Sequence, residues 1–228
     1  MRPSLHRPTF AAHAVLAAAG IVAALWHIWK VAPLEIDQIG SSYLIFFFHF
    51  PSAVGSLEFF FLAALCGAWN LWKRGRVSDA ASASAVEVGL LAAVVTLVTG
   101  STWAKAAWGH WWVWDDPRLL SVAIMTITYL GYHLLRSLVD EPEKRARFCS
   151  VFSIVALVSV GFVHYAIKLL GKVSHPMKPF QDPSITQTRI VAWLAFLVLY
   201  LLLFRIRFAQ ARAALAIEDL RQRAEDLR

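Results

Sequence analysis

The sequence has few charged residues and almost no cysteine. Only 16% of its 228 residues are Asp, Glu, Lys or Arg, whereas 58% are hydrophobic, and this composition is too apolar for an ordinary soluble domain. The two cysteines, Cys66 and Cys149, form no C-x-x-C pair, which argues against a thiol-redox function. The sequence also has no G-x-x-x-x-G-K-[ST] loop, internal repeat or low-complexity segment, which argues against an ATPase or a repeat protein. An integral membrane protein is the class that remains.

Six apolar runs are each long enough to cross ~30 Å of hydrocarbon at about 1.5 Å of helix rise per residue. They cover residues 11–29, 43–69, 86–103, 119–135, 148–170 and 190–207. The first run has no small-residue cleavage site, so we expect a membrane span and not a cleavable signal. The sequence therefore predicts an all-α integral membrane protein, with a six-helix membrane domain over residues 1–207. Residues 208–228 are expected to form a solvated cytoplasmic helical tail, with partner docking as the alternative.

The lysines and arginines indicate the orientation of these spans. A net charge of +7 could suggest a nucleic-acid partner, but the basic residues cluster in short segments between the apolar runs. With six spans, most of the 22 lysines and arginines fall on the side that carries both termini. Because basic loops stay in the cytoplasm, we predict that both termini are cytoplasmic, in the cell inner membrane, and we expect no nucleic-acid partner.

Tryptophan is concentrated in the connection between the third and fourth apolar runs. Five of the ten tryptophans lie within residues 103–114. Read as a short helix, the segment would place Trp108, Trp111 and Trp112 on one face. Trp103, His110 and Trp114 would then share the opposite face. Such a loop or short interfacial helix can offer an aromatic face to a flat apolar ligand, and the alternative is an aromatic belt at the membrane boundary.

One histidine lies near the outer end of the second predicted span. His49 stands in a run of phenylalanines, two residues before Pro51. Because proline suits the first turn of a helix, the regular part of this span is expected to start near Pro51, with His49 at the membrane boundary. An imidazole there lacks ready partners unless it binds something, which makes His49 a candidate ligand.

A second histidine, His175, lies in the last outer connection. A loop histidine can simply be solvated. Two imidazoles on the same side as an aromatic shelf can also hold haem iron between them, with Lys or Arg side chains meeting the propionates. The cations on that side include Lys105, Arg118, Lys172 and Lys178.

The other ionisable residues are interpreted as structural. Glu58 and Glu87 are expected to be hydrogen-bonded or protonated within their spans. Interfacial, solvated or packing roles are expected for His6, His13, His27 and His133. For His110, a hydrogen bond to a propionate is the alternative.

The tryptophan-rich stretch resembles the signature of a known superfamily. The string Trp108-Gly-x-Trp-Trp-Val-Trp-Asp115, followed by Arg118 and Leu119, is similar to that of the haem-handling proteins CcmC, CcmF and CcsA of cytochrome c maturation. The flanking segments 98–101 and 129–132 are closest to those of CcmC, and the resemblance runs from about residue 43 to the end of the last apolar run. The segment before Arg118 is one residue longer than the usual Trp-Asp-x-Arg-Leu, and Ser-His-Pro surrounds His175 where Leu-His-Gln is expected.

The resemblance implies a set of haem-binding residues. It implies that His49 and His175 are the two axial ligands of a transient, non-covalently bound haem b. It further implies that the haem contacts Trp108, Trp111, Trp112, Trp114, Asp115 and Arg118, within the haem-handling loop 103–118. His164 also matches a family position, but its place within the fifth span favours a packing role.

The resemblance also implies a function and partners. A CcmC-like protein presents haem at the outer face of the inner membrane to a membrane-anchored, CcmE-like haem chaperone. It works with a CcmA/CcmB-like ATP-binding-cassette complex and a small CcmD-like subunit, as a carrier and not an enzyme. Two alternatives stay open: a subunit of a synthetase-type complex that attaches haem to cytochrome c, and a b-type haem subunit for electron transfer. The first typically has more spans, and the second needs histidine pairs buried between facing spans.

Overall fold

The described part of the chain is mostly helical. The computed structural model describes residues 7–33, 40–170 and 182–227, and these contain no β-strand. Six helices are long and apolar enough to cross a membrane, as the sequence predicts. They are α1 (Arg7–Lys30), α2 (Phe46–Lys73), α3 (Arg76–Trp108), α4 (Pro117–Leu138), α5 (Pro142–Leu170) and α6 (Pro183–Asp226), with a short 3₁₀ helix (Ser41–Ile45) before α2.

Helix α3 is the central element of the bundle. It packs most extensively against α2 and also contacts α4, α5 and α6, whereas α1 packs mainly against α6. Small side chains line much of α3, so its neighbours approach closely, as is common between membrane helices. In the core the rings of Phe60 and Tyr129 stack with centroids 3.6 Å apart, which ties α2 to α4.

The start of α2 differs from the sequence prediction. The helix begins at Phe46 and continues through Pro51, so it does not start near the proline. Proline removes one helical hydrogen bond, but Tyr43 and Phe47 are fully buried against α1 and α6 and stabilise the earlier start. His49 consequently lies within the first turns of α2, where its backbone position is set by the helix.

Helix α6 is one continuous rod of 44 residues. Its N-cap is Asp182, whose carboxylate accepts a 2.7 Å hydrogen bond from the backbone N–H of Ser184. The hydrogen bonds from Ser184 lower the pKa of the Asp182 carboxyl below its usual range. The helix continues beyond the last apolar run to Asp226, so residues 208–226 form its direct extension.

Ion pairs join the helices at one end of the bundle. This basic end comprises the α2–α3 turn, the α4–α5 turn and residues 205–226 of α6. Arg136 binds Asp79 through two hydrogen bonds of 2.8 and 2.7 Å. Arg76 binds both Glu218 and Asp219 on the extension of α6. The extension is therefore attached to α3 through Glu218 and Asp219. That the basic end faces the cytoplasm stays a prediction from the distribution of Lys and Arg.

Candidate functional site

The tryptophan-rich segment lies at the opposite, aromatic end of the bundle, formed by the start of α2, the end of α3 and the start of α4. Helix α3 ends at Trp108, and Gly109 follows in the left-handed region with φ of 77°. The backbone N–H of Gly109 donates to the carbonyl of Lys105 at 3.1 Å, and the Lys105 ammonium donates to the carbonyl of Gly109 at 2.8 Å. Glycine adopts this conformation without strain, so the chain leaves the helix here.

Of the two alternatives predicted for this connection, a loop or a short interfacial helix, the structure has the loop after Trp108. Residues 109–116 are a non-helical loop, which we call the tryptophan loop. The shared faces expected from helical spacing do not exist beyond Trp108. The glycine cap outweighs the spacing of the tryptophans, because a left-handed residue stops the regular helical hydrogen bonding.

The far end of the tryptophan loop is closed by the start of α4. Asp116 is the N-cap, and its carboxylate accepts hydrogen bonds from the backbone N–H groups of Arg118 and Leu119 at 2.9 and 3.3 Å. Pro117 occupies the first helical position, where its missing N–H does no harm. The longer Asp115-Asp116-Pro117-Arg118 segment thus supplies a helix start, and it places the half-buried Arg118 in the first turn of α4.

The tryptophans of this region divide into packed and exposed ones. Trp103 and Trp108, both on α3, pack edge to face with centroids 5.0 Å apart. Trp111 and Trp114 are 60% and 77% exposed. The Nε1 atom of Trp112 is shielded from solvent and has no hydrogen-bond partner among the described residues. The loop therefore offers apolar aromatic surface and one unused indole donor.

His49 is held by α3. Its Nδ1 atom lies 3.1 Å from the carbonyl oxygen of Thr96 and 3.1 Å from the hydroxyl oxygen of Thr99. The Thr99 hydroxyl lies 2.7 Å from the carbonyl of Val95 and donates its proton there. Because a carbonyl oxygen can only accept, Nδ1 carries the imidazole proton and donates, and Nε2 carries the lone pair of the ring.

Gly100 gives the imidazole its room. A Cβ atom added to Gly100 would stand 3.0 Å from Cε1 and 3.4 Å from Nδ1 of His49. The end of α3 at Trp108 lies about 12 Å further along the same helix at 1.5 Å per residue. The histidine is thus set below the tryptophan loop, on the side of α3 that faces α2.

The structure adds one cation that the sequence analysis counted only for orientation. The guanidinium of Arg189, on α6, lies 5.6 Å from the ring centroid of Phe50, the residue after His49. The sequence offered one indication of this cation, because Arg189 stands directly before the sixth apolar run. Asp115 and His110 are exposed within the tryptophan loop. Lys105 donates a hydrogen bond to the carbonyl of Gly109, at the end of α3.

Several predicted residues cannot be placed with His49. His175, Lys172 and Lys178 lie outside the described residues. His164 lies on α5, but its side chain is also outside the description. Within residues 7–33, 40–170 and 182–227, no three His, Cys, Asp or Glu side chains come together as a metal site.

Three of the polar residues that were interpreted as structural have hydrogen-bond or ion-pair partners in the structure: Glu58, Glu87 and His13. Glu58 accepts a hydrogen bond of 3.3 Å from the indole N–H of Trp193. Glu87 pairs with Arg207 at the basic end. His13 lies with Nε2 3.2 Å from the carbonyl of Val198, which ties α1 to α6.

These features define a six-span helical membrane protein with a positioned imidazole and a tryptophan loop at one end. The model of the family described as CcmC, heme exporter protein C, matches residues 4–227. The chain belongs to this family.

Curated relatives agree with the family assignment. The heme exporter protein C of Paracoccus denitrificans is 30% identical over 148 residues, which cover 65% of this chain and 61% of the relative. That of Escherichia coli K12 is 30% identical over 156 residues, which cover 67% and 63%. That of Bradyrhizobium diazoefficiens is 28% identical over 199 residues, 86% of this chain and 74% of the relative. The match spans less than two thirds of the length of the first two relatives.

Proposed function

We propose that this protein binds haem at its aromatic end and presents it to a membrane-anchored, CcmE-like haem chaperone during cytochrome c maturation. Membership of the heme exporter protein C family supports haem handling in general. The single observation that carries the proposal at the residue level is the position of His49 against α3.

The first step concerns the iron ligand. An imidazole that donates through Nδ1 to a carbonyl oxygen has the fixed ring orientation and the basic Nε2 that metal-ligating histidines require. His49 has this arrangement with Thr96. A helix backbone holds the carbonyl acceptor in place, so the imidazole is prepared in advance for an axial bond to haem iron through Nε2.

The second step concerns the other axial position. We assign it to His175, because the last outer connection joins α5 to α6 on the side of the membrane where α2 begins. Two axial imidazoles would hold haem b in a defined orientation without a covalent bond, which suits a cargo that must be released.

The third step concerns the porphyrin itself. Its flat apolar faces would lie against the tryptophan loop, where Trp111 and Trp114 are exposed and Trp112 packs on Trp114. Trp108, at the end of α3, packs on Trp103 and would contact the haem from there. Arg118, in the first turn of α4, would pair with a propionate, and Asp115 lies three residues before it in the tryptophan loop. The unused indole N–H of Trp112 provides a further hydrogen-bond donor for a carboxylate.

The proposed setting follows from the orientation of the spans. With the basic end in the cytoplasm, the aromatic end faces the periplasm across the inner membrane. The protein acts there as a haem carrier and not an enzyme, with a CcmA/CcmB-like ATP-binding-cassette complex and a CcmD-like subunit as partners. An exposed aromatic surface leaves an edge of the haem within reach of the chaperone.

The test is the absorption spectrum of the detergent-purified protein produced with a haem supply, compared with His49→Ala and His175→Ala. We expect a low-spin haem spectrum in the wild type, which either substitution abolishes or converts. His13→Gln is the matched control, because Gln can still donate to the Val198 carbonyl and His13 lies on α1, away from the aromatic end. Its spectrum should equal that of the wild type.

The proposal fails if the wild type takes up no haem, or if both alanine variants keep an unchanged spectrum. If only His49→Ala changes the spectrum, the assignment of His175 as the second ligand is wrong, and that of His49 stands.

A further inference from the structure

A large cavity lies at the basic end, remote from the proposed haem site. It has a volume of about 1100 Å³ and lies between the start of α3, the α4–α5 turn and the extension of α6. The bidentate Asp79–Arg136 pair lines it. Helices and turns from several parts of the chain surround this cavity, and its size reaches that of pockets for small molecules.

The charges around this cavity are unevenly paired. Three acidic residues that line it are bound by arginines: Asp79 by Arg136, Glu87 by Arg207 and Glu218 by Arg76. A fourth, Glu141, binds Lys144, and a fifth, Glu143, has no ion pair within the described residues. Four lining arginines have no ion pair within the described part of the chain: Arg74, Arg145, Arg147 and Arg221. The cavity thus presents an excess of guanidinium groups.

Arg145 gives a second and independent indication of a ligand. Its Nε atom is shielded from solvent and has no hydrogen-bond acceptor within the described residues. A buried donor of this kind is costly unless an acceptor meets it. The planar guanidinium fork matches the oxygens of a phosphate group, which can accept two hydrogen bonds at once.

The surroundings identify the rest of the ligand. Ala80, Ala83 and Leu215 give the cavity an apolar wall beside the arginines. Trp69 and Trp72 near the end of α2 are 53% and 72% exposed, as is typical of tryptophans at the membrane–water boundary. A ligand that suits this place has a phosphate, an apolar portion and access from the lipid interface.

We propose that this cavity binds the headgroup of an anionic phospholipid, with its phosphate on Arg145 and Arg74 and the start of its acyl chains along the apolar wall. Basic pockets between membrane helices bind such headgroups in general. The cavity favours a small amphiphile over a segment of a partner protein, because its arginines and its apolar wall lie side by side within one site.

The test is native mass spectrometry of the full-length protein after exchange into an equimolar mixture of phosphatidylglycerol and phosphatidylcholine. We expect the wild type to retain phosphatidylglycerol preferentially, and Arg145→Ala to lower that retention about tenfold. Arg145→Lys should give an intermediate value, since lysine keeps the charge but loses the fork. Arg223→Ala is the control, because Arg223 is an exposed arginine on the α6 extension at the basic end that does not line the cavity.

Three results would overturn the proposal. The first is a lack of selectivity: the wild type retains the two lipids equally, or Arg145→Ala retains as much phosphatidylglycerol as the wild type does. The second is displacement of the lipid by inorganic phosphate alone, which would mean that the site takes a free anion. The third is loss in Arg145→Ala of binding to an acidic peptide with lipid retention unchanged, which would indicate a protein partner. If Arg145→Ala does not fold, Arg74→Ala replaces it, with a smaller expected loss because Arg74 is exposed.

Discussion

Gly100→Ala should separate haem binding from stability. Gly100 lies within α3, where alanine is favoured over glycine by about 0.5–1 kcal/mol. On helix propensity alone, the variant should be as stable as the wild type or slightly more so. The added Cβ, however, would stand 3.0 Å from Cε1 of His49. The imidazole must therefore move by a few tenths of an ångström.

That movement acts on the hydrogen bonds of Nδ1. Both are 3.1 Å long, close to the upper limit for a good N–H···O bond, so a small shift weakens them. Loss of such an orienting contact typically lowers metal affinity by about 10-fold to 100-fold. Because the Thr96 acceptor belongs to the backbone and remains in place, we expect the lower figure, about tenfold or ~1.4 kcal/mol.

The assay is a haem titration followed by absorbance, together with thermal unfolding of the haem-free protein. Gly161→Ala on α5 is the matched control, because a Cβ at Gly161 meets nothing within 4 Å. The control should bind haem like the wild type. Unchanged affinity in Gly100→Ala would refute the reasoning that links α3 to the iron ligand, and an equal fall in both variants would point to a general effect of alanine.

The tryptophan loop, the cap of α4 and the ion pair at the basic end each give a further test. Trp114→Ala should lower haem occupancy several-fold but change the unfolding free energy by no more than about 0.5 kcal/mol, because the side chain is 77% exposed; a variant that keeps its haem and unfolds earlier would make Trp114 structural. Asp116→Ala should lower the unfolding free energy by about 1 kcal/mol, whereas Asp116→Asn should be nearly neutral in the same denaturation measurement, and equal losses would contradict the capping role. Asp79→Ala should lower the unfolding free energy by about 3 kcal/mol, because the Arg136 side chain is only 24% exposed and would lose its carboxylate partner. Adding Arg136→Leu should recover part of that loss, and strictly additive losses would argue against a coupled pair.

The sequence predicts the spans well because hydrophobic runs dominate membrane helices. All six runs lie within helices of the structure. The start of α2 was harder to predict, because a proline usually indicates the start of a helix. Here the burial of Tyr43 and Phe47 outweighs that local preference.

The tryptophan loop shows a different limit. Helical spacing of the tryptophans predicted shared faces, but the signals that end and start helices were also present. Gly109 follows α3, and Asp116 with Pro117 precedes α4. Cap signals are local and specific, whereas aromatic spacing over a few residues is weak, so the caps should have taken precedence.

The contact that positions His49 could not be predicted from the sequence. Thr96 contributes its backbone carbonyl, which every residue has, and the two residues lie 47 positions apart. Only the packing of α2 on α3 brings them together. The sequence indicated that His49 is a candidate ligand, but not what holds its ring.

The uninterrupted course of α6 has a mechanical consequence. At 1.5 Å per residue its 44 residues extend for about 66 Å, from the cap at Asp182 to beyond the basic end. A helix with no proline after its first turn bends little, so its two ends are joined by one stiff element. The contacts from Arg76 hold the end of this element that lies at the basic end. The cap at Asp182 and the pairing with Arg76 are therefore kept at a fixed separation along one helix.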